Sequence, residues 1–241
     1  MIKVLAFDFD GTIVDSVYES FIVALEAYRK MGFKIKQTKV LENKFRKLRS
    51  LVKNAEDYYA VFEIIKKGLS IDINQKEFNT MNEKVFDNKG KKFAKLFYAT
   101  RDEIKKGKEK EWLKLFTPYP KLPEHVIKLS KKYKVVISTA KDKNSVTRIL
   151  KDCGIVIGEN ILDREDSTDK RDHMEAICKN FNVKPSEVLF VDDILDQAEK
   201  VKTVGVNVAM VSWGYSNEEQ RKEAKEKGIR VIDKIDELGL Y

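Results

Sequence analysis

The sequence contains little cysteine, histidine and proline. Among its 241 residues are two cysteines and two histidines. Cys153 and Cys178 form no metal-binding pattern and are too few for a disulfide framework, so we expect them to pack as small apolar residues. His125 and His173 are isolated, without a spacing that indicates zinc. We expect His125 on a surface helix and His173 on a helix face, with a role at the edge of the site as the alternative for His173. These shortages argue against a disulfide-stapled scaffold and against a zinc module.

Long hydrophobic runs are also missing, so we expect no membrane partner. Residues 2–9 are apolar, but the stretch is short, contains acidic residues at its end and lacks a small-residue cleavage site, which argues against a signal peptide. We therefore expect a cytoplasmic protein. The net charge is +8, yet the lysines alternate with acidic residues, as in residues 105–111, which is typical of solvated helix faces. We expect no nucleic-acid partner, although the basic excess favours an anionic substrate.

Strand and helix patterns alternate along the second half of the sequence. This alternation, together with a buried strand near the start, predicts an α/β fold: a Rossmann-like open parallel sheet covered by helices. Functional sites in such sheets form beyond the carboxyl ends of the strands. The predicted strands cover residues 3–9, 135–138, 155–157, 188–191, 206–211 and 230–232.

A helical insertion separates the first predicted strand from the others. Residues 38–115 contain no convincing strand, and three of the four prolines then cluster at Pro118, Pro120 and Pro123, where we expect the chain to return to the sheet. We therefore expect a core domain of residues 1–15 and 118–241 and a helical domain of residues 16–117. Apolar spacing predicts helices in the insertion around Val17–Tyr28, Leu41–Val52, Tyr58–Ile65 and Phe86–Ile104, with Tyr58, Phe93 and Tyr98 in its core.

Two aspartates follow the first strand, at Asp8 and Asp10. Carboxylates one residue apart beyond a strand point to the same side of the chain. Such like charges need a cation or a shared proton, and Mg²⁺ prefers these oxygen ligands together with a substrate phosphate. One carboxylate can attack phosphorus while the other handles the leaving-group proton. Gly11 allows a sharp turn close to a bound group.

The segment from Phe7 to Ser16, FDFDGTIVDS, resembles the first motif of the haloacid dehalogenase superfamily, in its phosphatase branch. The resemblance implies that Asp8 is the nucleophile. It implies that Asp10 is the general acid and then the base, and that its backbone carbonyl also ligates Mg²⁺. Gly11 and Thr12 would contact the substrate. The dehalogenases of the superfamily lack the second aspartate, so Asp10 favours phosphate chemistry.

A hydroxyl-bearing strand end matches the second motif of the superfamily. Residues 135–141, VVISTAK, place Ser138, Thr139 and Ala140 where a hydroxyl and backbone N–H groups can hold phosphate oxygens. Counting back from Gly154 favours Thr139 as the motif hydroxyl, with Ser138 as the alternative.

The third motif is a lysine that neutralises the charge of nucleophile and phosphate. Lys170 opens a predicted helix before the next strand and is the residue we assign to it. Relatives often have proline directly after this lysine, whereas Arg171 follows it here. Because the spacing around this motif varies among relatives, Arg171 remains the alternative.

The fourth motif is the acidic strand end at Asp192 and Asp193. Adjacent aspartates after an apolar run are difficult to explain by packing and are typical of magnesium ligands. Alignment with the following strand puts Asp193 at the principal metal position and Asp192 beside it.

The four motifs together predict a magnesium-dependent hydrolase of a small phosphorylated metabolite. The helical insertion matches the cap of the subgroup that includes phosphoglycolate phosphatases and β-phosphoglucomutase, which implies a lid over the substrate. Two alternatives remain: a sugar-phosphate mutase that uses the same aspartates, and a non-catalytic phosphate-binding regulator. The sequence does not specify an oligomeric state.

Overall fold

The computed structural model describes residues 1–85, 89–157 and 160–239. Phe86, and the last two residues of the predicted 118–241 segment, lie outside these described residues. The chain divides into two units, one formed by Met1–Asp15 with Thr117–Tyr241 and the other by Ser16–Phe116. We refer to them as the sheet unit and the helical unit.

A six-stranded parallel sheet forms the centre of the sheet unit. The strands are, in chain order, β1 Val4–Phe7, β2 Val14–Asp15, β3 Thr117–Pro118, β4 Lys134–Ser138, β5 Ile161–Leu162, β6 Val188–Asp192, β7 Asn207–Val211 and β8 Arg230–Ile232. Their order in the sheet is β5–β4–β1–β6–β7–β8, while β2 and β3 form a separate antiparallel pair. The predicted open parallel sheet is confirmed, with the fully buried β1 at its middle between β4 and β6.

Six described helices build the helical unit: α1 Val17–Lys30, α2 Lys39–Leu48, α3 Asp57–Lys66, α4 Gln75–Val85, α5 Gly90–Gly107 and α6 Glu109–Leu113. Thr38 caps α2 by accepting a hydrogen bond from the Leu41 amide. Tyr58 and Phe93 are buried as expected, whereas Tyr98 is 44% exposed, so its placement in the core was wrong. The sequence pattern did not reveal α4 or α6.

A buried ion pair joins the first and fifth helices of the helical unit. Glu19 is fully buried on α1, and its two carboxylate oxygens accept hydrogen bonds of 2.7 and 2.8 Å from the Arg101 guanidinium on α5. The Trp112 indole donates a third bond of 3.3 Å to the same carboxylate. The Arg101 guanidinium and the Glu19 carboxylate therefore form a bidentate ion pair.

Five helices of the described residues flank the sheet: α7 Leu122–Ser130, α8 Lys143–Asp152, α9 Lys170–Phe181, α10 Leu195–Lys202 and α11 Glu218–Glu226. Helices α9 and α10 contribute Met174, Ile177 and Val201 to a core that contains alternate residues of the strands, among them Val4 and Ala6 of β1. This packing fixes the start of α9, and hence Lys170, close to the carboxyl ends of β1 and β6. None of the described helices is long and apolar enough to cross a membrane.

The strand predicted at residues 155–157 is wrong, because this segment has no strand structure and pairing occurs later, at β5. Gly154 has a φ of +74° after α8, and the Ile155 amide bonds back to the Leu150 carbonyl at 2.8 Å. This is the termination typical of a helix that ends in a left-handed glycine. Ile155 and Ile157 are buried while Val156 is exposed, so the apolar alternation that suggested a strand reflects packing beyond a helix end.

Candidate active site

Three carboxylates converge where β1 and β6 end. The two strands are parallel neighbours with Phe7 opposite Val191, so Asp8 and the Asp192–Asp193 pair leave the sheet side by side. All three side chains are buried, and one oxygen from each lies within 4.8 Å of the others. Such a concentration of negative charge in a low-dielectric environment is unfavourable without compensating positive charge.

Lys170 provides part of that compensation. Its Nζ donates to Asp8 Oδ1 at 2.5 Å and to Asp192 Oδ2 at 2.8 Å. Burial lowers the pKa of Lys170, but Asp192 and Asp8 outweigh this effect, and the pKa is raised above its ordinary value. The alternative, Arg171, bonds instead to Asp169, so the structure brings Lys170 and not Arg171 beside Asp8.

The Asp8 carboxyl has a raised pKa in this environment. Burial, reinforced by the charges of Asp192 and Asp10, raises the pKa of Asp8 to about 7, although Lys170 acts in the opposite direction. The Lys170 ammonium therefore offsets only part of the cost of gathering these carboxylates.

Asp193 occupies a tight backbone pocket. Its Oδ2 accepts a 2.7 Å hydrogen bond from the Tyr215 amide. A Cβ on Gly11 would lie 2.4 Å from the same oxygen, and a Cβ on Gly214 would lie 2.3 Å from the Asp193 Cβ. Gly11 also has a φ of +91°, a conformation that favours glycine. Two glycines thus bring two loops against one carboxylate.

Asp10 lies next to the cluster and is partly exposed, with a buried lysine as its neighbour. Lys141 Nζ is 3.4 Å from Asp10 Oδ1, and only 4% of the Lys141 side chain is exposed. Sequence reasoning did not single out Lys141, although it belongs to the quoted segment 135–141. The sequence feature that could have indicated Lys141 is its position three residues beyond a buried strand, where the structure buries the side chain.

The remaining predicted residues line the same edge in different ways. Ser138 ends β4 and its hydroxyl contacts the His173 Nδ1 atom at 2.9 Å. Thr139 is buried, and its Oγ1 accepts the Lys141 amide at 3.1 Å, whereas Ala140 is exposed. The Gly11 amide donates to the Val14 carbonyl.

Thr12 is buried at the same edge, and its carbonyl accepts a 3.2 Å hydrogen bond from the Trp213 indole. Within residues 1–85, 89–157 and 160–239, its hydroxyl has no hydrogen-bond partner. His173 lies on helix α9 as expected, but its side chain is buried and contacts Ser138 at the end of β4.

The carboxylate cluster fits a divalent cation. Its donors are hard oxygens, close enough together for a single ion to contact several of them, and Lys170 neutralises only part of their charge. The arrangement combines a buried carboxylate that can act as a nucleophile, a second carboxylate next to it, and a lysine between them.

A family model for haloacid dehalogenase-like hydrolases matches residues 2–205. The chain belongs to this family. The match covers both units, from the first strand to the end of α10, and agrees with the resemblance drawn from the four motifs. No curated protein matches the sequence.

Solved structures share the haloacid dehalogenase-like fold along nearly the whole chain. A haloacid dehalogenase-like family protein from Streptococcus pneumoniae is 14% identical, with a TM-score of 0.71, covering 100% of this chain and 98% of that one. A predicted phosphatase from Clostridium acetobutylicum is 14% identical, with a TM-score of 0.67 and coverage of 99% and 96%. A predicted phosphoglycolate phosphatase from Haemophilus somnus is 16% identical, with a TM-score of 0.67 and coverage of 98% and 96%.

Proposed function

We propose that this hydrolase is a magnesium-dependent phosphatase that cleaves a small phosphomonoester through an aspartyl-phosphate on Asp8. The observation that carries the proposal is the convergence of Asp8, Asp192 and Asp193, with the Lys170 ammonium bonded to the first two. Two structural neighbours described as a phosphatase and as a phosphoglycolate phosphatase support this reaction class and a small phosphorylated substrate.

The residues that would hold Mg²⁺ are Asp8, Asp193 and the backbone carbonyl of Asp10, with Asp192 beside them. Bound there, the ion would neutralise charge on the phosphate and on the carboxylates. The backbone pocket around Asp193 supports this assignment, since it keeps that carboxylate in one orientation.

Asp8 acts as the nucleophile in the proposed reaction. A carboxylate oxygen of Asp8 attacks phosphorus, the bond between phosphorus and the ester oxygen breaks, and the phosphoryl group is transferred to Asp8. Lys170 stays next to Asp8 throughout. Its positive charge offsets the negative charge of the Asp8 carboxylate and of the phosphoryl oxygens.

Asp10 transfers protons in both halves of the reaction. In the first half, its carboxyl group protonates the departing alcohol. In the second half, the resulting carboxylate takes a proton from water, the water oxygen attacks phosphorus, and the bond to Asp8 breaks. Inorganic phosphate leaves, and both aspartates return to their starting states. Thr139 and the neighbouring backbone bind phosphoryl oxygens in this scheme, and the helical unit serves as the substrate-selecting cap.

The decisive experiment compares wild type, Asp8→Asn and Asp236→Asn in the hydrolysis of p-nitrophenyl phosphate, with Mg²⁺ and with excess chelator. Asp236 is a suitable control because its side chain is 96% exposed. We expect Asp8→Asn to lower kcat on the order of 10³-fold or more, as removal of a nucleophile does. Asp236→Asn should match the wild type, and chelation should abolish turnover. Equal rates for wild type and Asp8→Asn would contradict the mechanism.

A further inference from the structure

His173 lies buried behind the candidate site, in the first turn of α9. Only 2% of the residue is exposed. Its Nδ1 is 2.9 Å from the Ser138 hydroxyl. Its Nε2 is 3.1 Å from the Asp163 carbonyl oxygen and 3.0 Å from the Ser167 carbonyl oxygen. Both ring nitrogens are therefore engaged in hydrogen bonds with parts of the chain that are distant from one another in sequence.

These contacts define the protonation state of the ring. Carbonyl oxygens only accept hydrogen bonds, so Nε2 carries the proton and donates to both of them. In the neutral imidazole, Nδ1 accepts the hydrogen of the Ser138 hydroxyl. Burial lowers the pKa of His173, which favours the same state.

The three partners of the ring belong to the segments that carry the second and third motifs. Ser138 is the last residue of β4 and directly precedes Thr139. Asp163 directly follows β5, and Ser167 lies three residues before Lys170. A single ring thus ties the end of β4 to the loop that leads into the start of α9.

The position of Lys170 depends on how the chain enters α9. Its Nζ reaches Asp8 at 2.5 Å and Asp192 at 2.8 Å, distances that leave little room for a shift of the helix start. Misplacement of a catalytic group by about 1 Å can cost on the order of 10²-fold in rate. A residue that fixes this entry therefore influences the chemistry without touching the substrate.

We propose that His173 is a positioning residue, which holds Thr139 and Lys170 in register with each other and with Asp8. The inference rests on the proposed function, because the register matters for phosphoryl transfer. His173 acts through its two hydrogen-bonding edges: the Nδ1 edge fixes the strand end, and the Nε2 edge fixes the loop before Lys170.

Two substitutions separate these edges. The Asn side chain can retain an acceptor near the Nδ1 position, and the Gln side chain can retain a donor near the Nε2 position. We would therefore compare His173→Asn, His173→Gln and Ser138→Ala. The matched control is His125→Gln, since His125 is the other histidine of the chain, also lies on a helix, and contacts the Leu238 carbonyl through Nε2 at 3.0 Å.

The first readout is steady-state hydrolysis of p-nitrophenyl phosphate with Mg²⁺, together with the melting temperature of each variant. We expect His173→Asn, which loses the bonds to the loop before Lys170, to lower kcat at least about tenfold. His173→Gln and Ser138→Ala should each cause a smaller loss of kcat. Adding Ser138→Ala to His173→Gln should change kcat little, because both substitutions remove the same hydrogen bond, the one between residues 138 and 173. His125→Gln should keep the wild-type kcat. Unchanged kcat in both His173 variants at temperatures where they are folded would overturn the proposal.

The second readout does not depend on activity. Amide hydrogen exchange should accelerate in residues 163–170 of His173→Asn and in residues 138–141 of His173→Gln, while residues 207–211 of β7 keep wild-type exchange. If the wild type hydrolyses no aryl phosphate, the proposed function fails, and these exchange rates still test whether the ring holds the two segments. Wild-type exchange in both segments of both variants would overturn the inference by itself.

Discussion

Two buried clusters of charged residues, one in each unit, differ in how their charges are balanced. In the helical unit, Glu19 meets Arg101 through two hydrogen bonds, one carboxylate to one guanidinium. In the sheet unit, Lys170 is shared between Asp8 and Asp192, while Asp193 completes a group of three carboxylates. The first cluster is neutral, and the second carries more negative charge than its lysine supplies.

This difference distinguishes an ion pair that supports a fold from a cluster that could hold a further cation. A buried pair with matched charges loses stability when either partner is removed. A cluster of like charges is itself destabilising and is tolerated because a ligand compensates for it. The same chemical change, from a carboxylate to an amide, should therefore have opposite effects on stability in the two units.

The largest effect should come from breaking the neutral pair. Glu19→Gln removes the charge that accepts both hydrogen bonds from the Arg101 guanidinium, and we expect the free energy of unfolding to fall by about 3 kcal/mol. The measurement is urea unfolding followed by Trp112 fluorescence in a Trp213→Phe background, since the chain has two tryptophans. If the free energy of unfolding falls by less than about 0.5 kcal/mol, the pair contributes no more than an exposed surface ion pair, and the prediction is wrong.

An intermediate effect should follow from disturbing the pocket of Asp193. In Gly214→Ala, the new Cβ would lie 2.3 Å from the Asp193 Cβ and 2.5 Å from the Gly11 carbonyl oxygen, so the carboxylate must move. We expect the Mg²⁺ concentration for half-maximal phosphatase activity to rise at least about tenfold, or about 1.4 kcal/mol. Gly107→Ala is the control, because its Cβ would meet nothing within 4 Å. Equal Mg²⁺ requirements in the two variants would argue against Asp193 as a ligand.

The smallest effect, and the one of opposite sign, should come from removing a charge of the sheet-unit cluster. In excess chelator, we expect Asp193→Asn to raise the free energy of unfolding by about 1 kcal/mol, which is the repulsion between unit charges about 4 Å apart in water and a lower bound for buried charges. The Asn oxygen can still accept the Tyr215 amide. Urea unfolding followed by Trp213 fluorescence in a Trp112→Phe background tests this.

In millimolar Mg²⁺, the wild type should instead be more stable than Asp193→Asn, since only the wild type gains stability from bound metal. A variant that is less stable than the wild type in chelator would contradict the idea that this cluster carries excess negative charge.

The sequence was most informative for the strands that alternate with helices in the second half of the chain. β8 was predicted at its observed bounds, and β4, β6 and β7 within one residue at each end, because continuous apolar runs between helices leave few alternatives. Residues 155–157 misled because a chain that follows a helix end can bury alternate side chains without pairing. Helix α4 escaped notice since it is largely polar, and the pattern of apolar residues carries the helix signal.

The candidate site was predictable where chemistry is concentrated in short motifs. Asp8, Lys170, Asp192 and Asp193 come together because strand ends and a helix start meet at one edge of the sheet. Lys141 and His173 were not singled out, because their significance depends on burial. A lysine in a lysine-rich sequence looks solvated, and an isolated histidine gives no sign of which carbonyl groups it will meet.

The contact of Gly11 and Gly214 with Asp193 has a consequence for redesign of this enzyme. Residues 212–215 touch the loop after β1 through the Trp213 indole as well as through Gly214. A loop transplanted there from a relative would bring new backbone against the Asp193 carboxylate. Residues 212–215 should therefore be exchanged only together with residues 9–14.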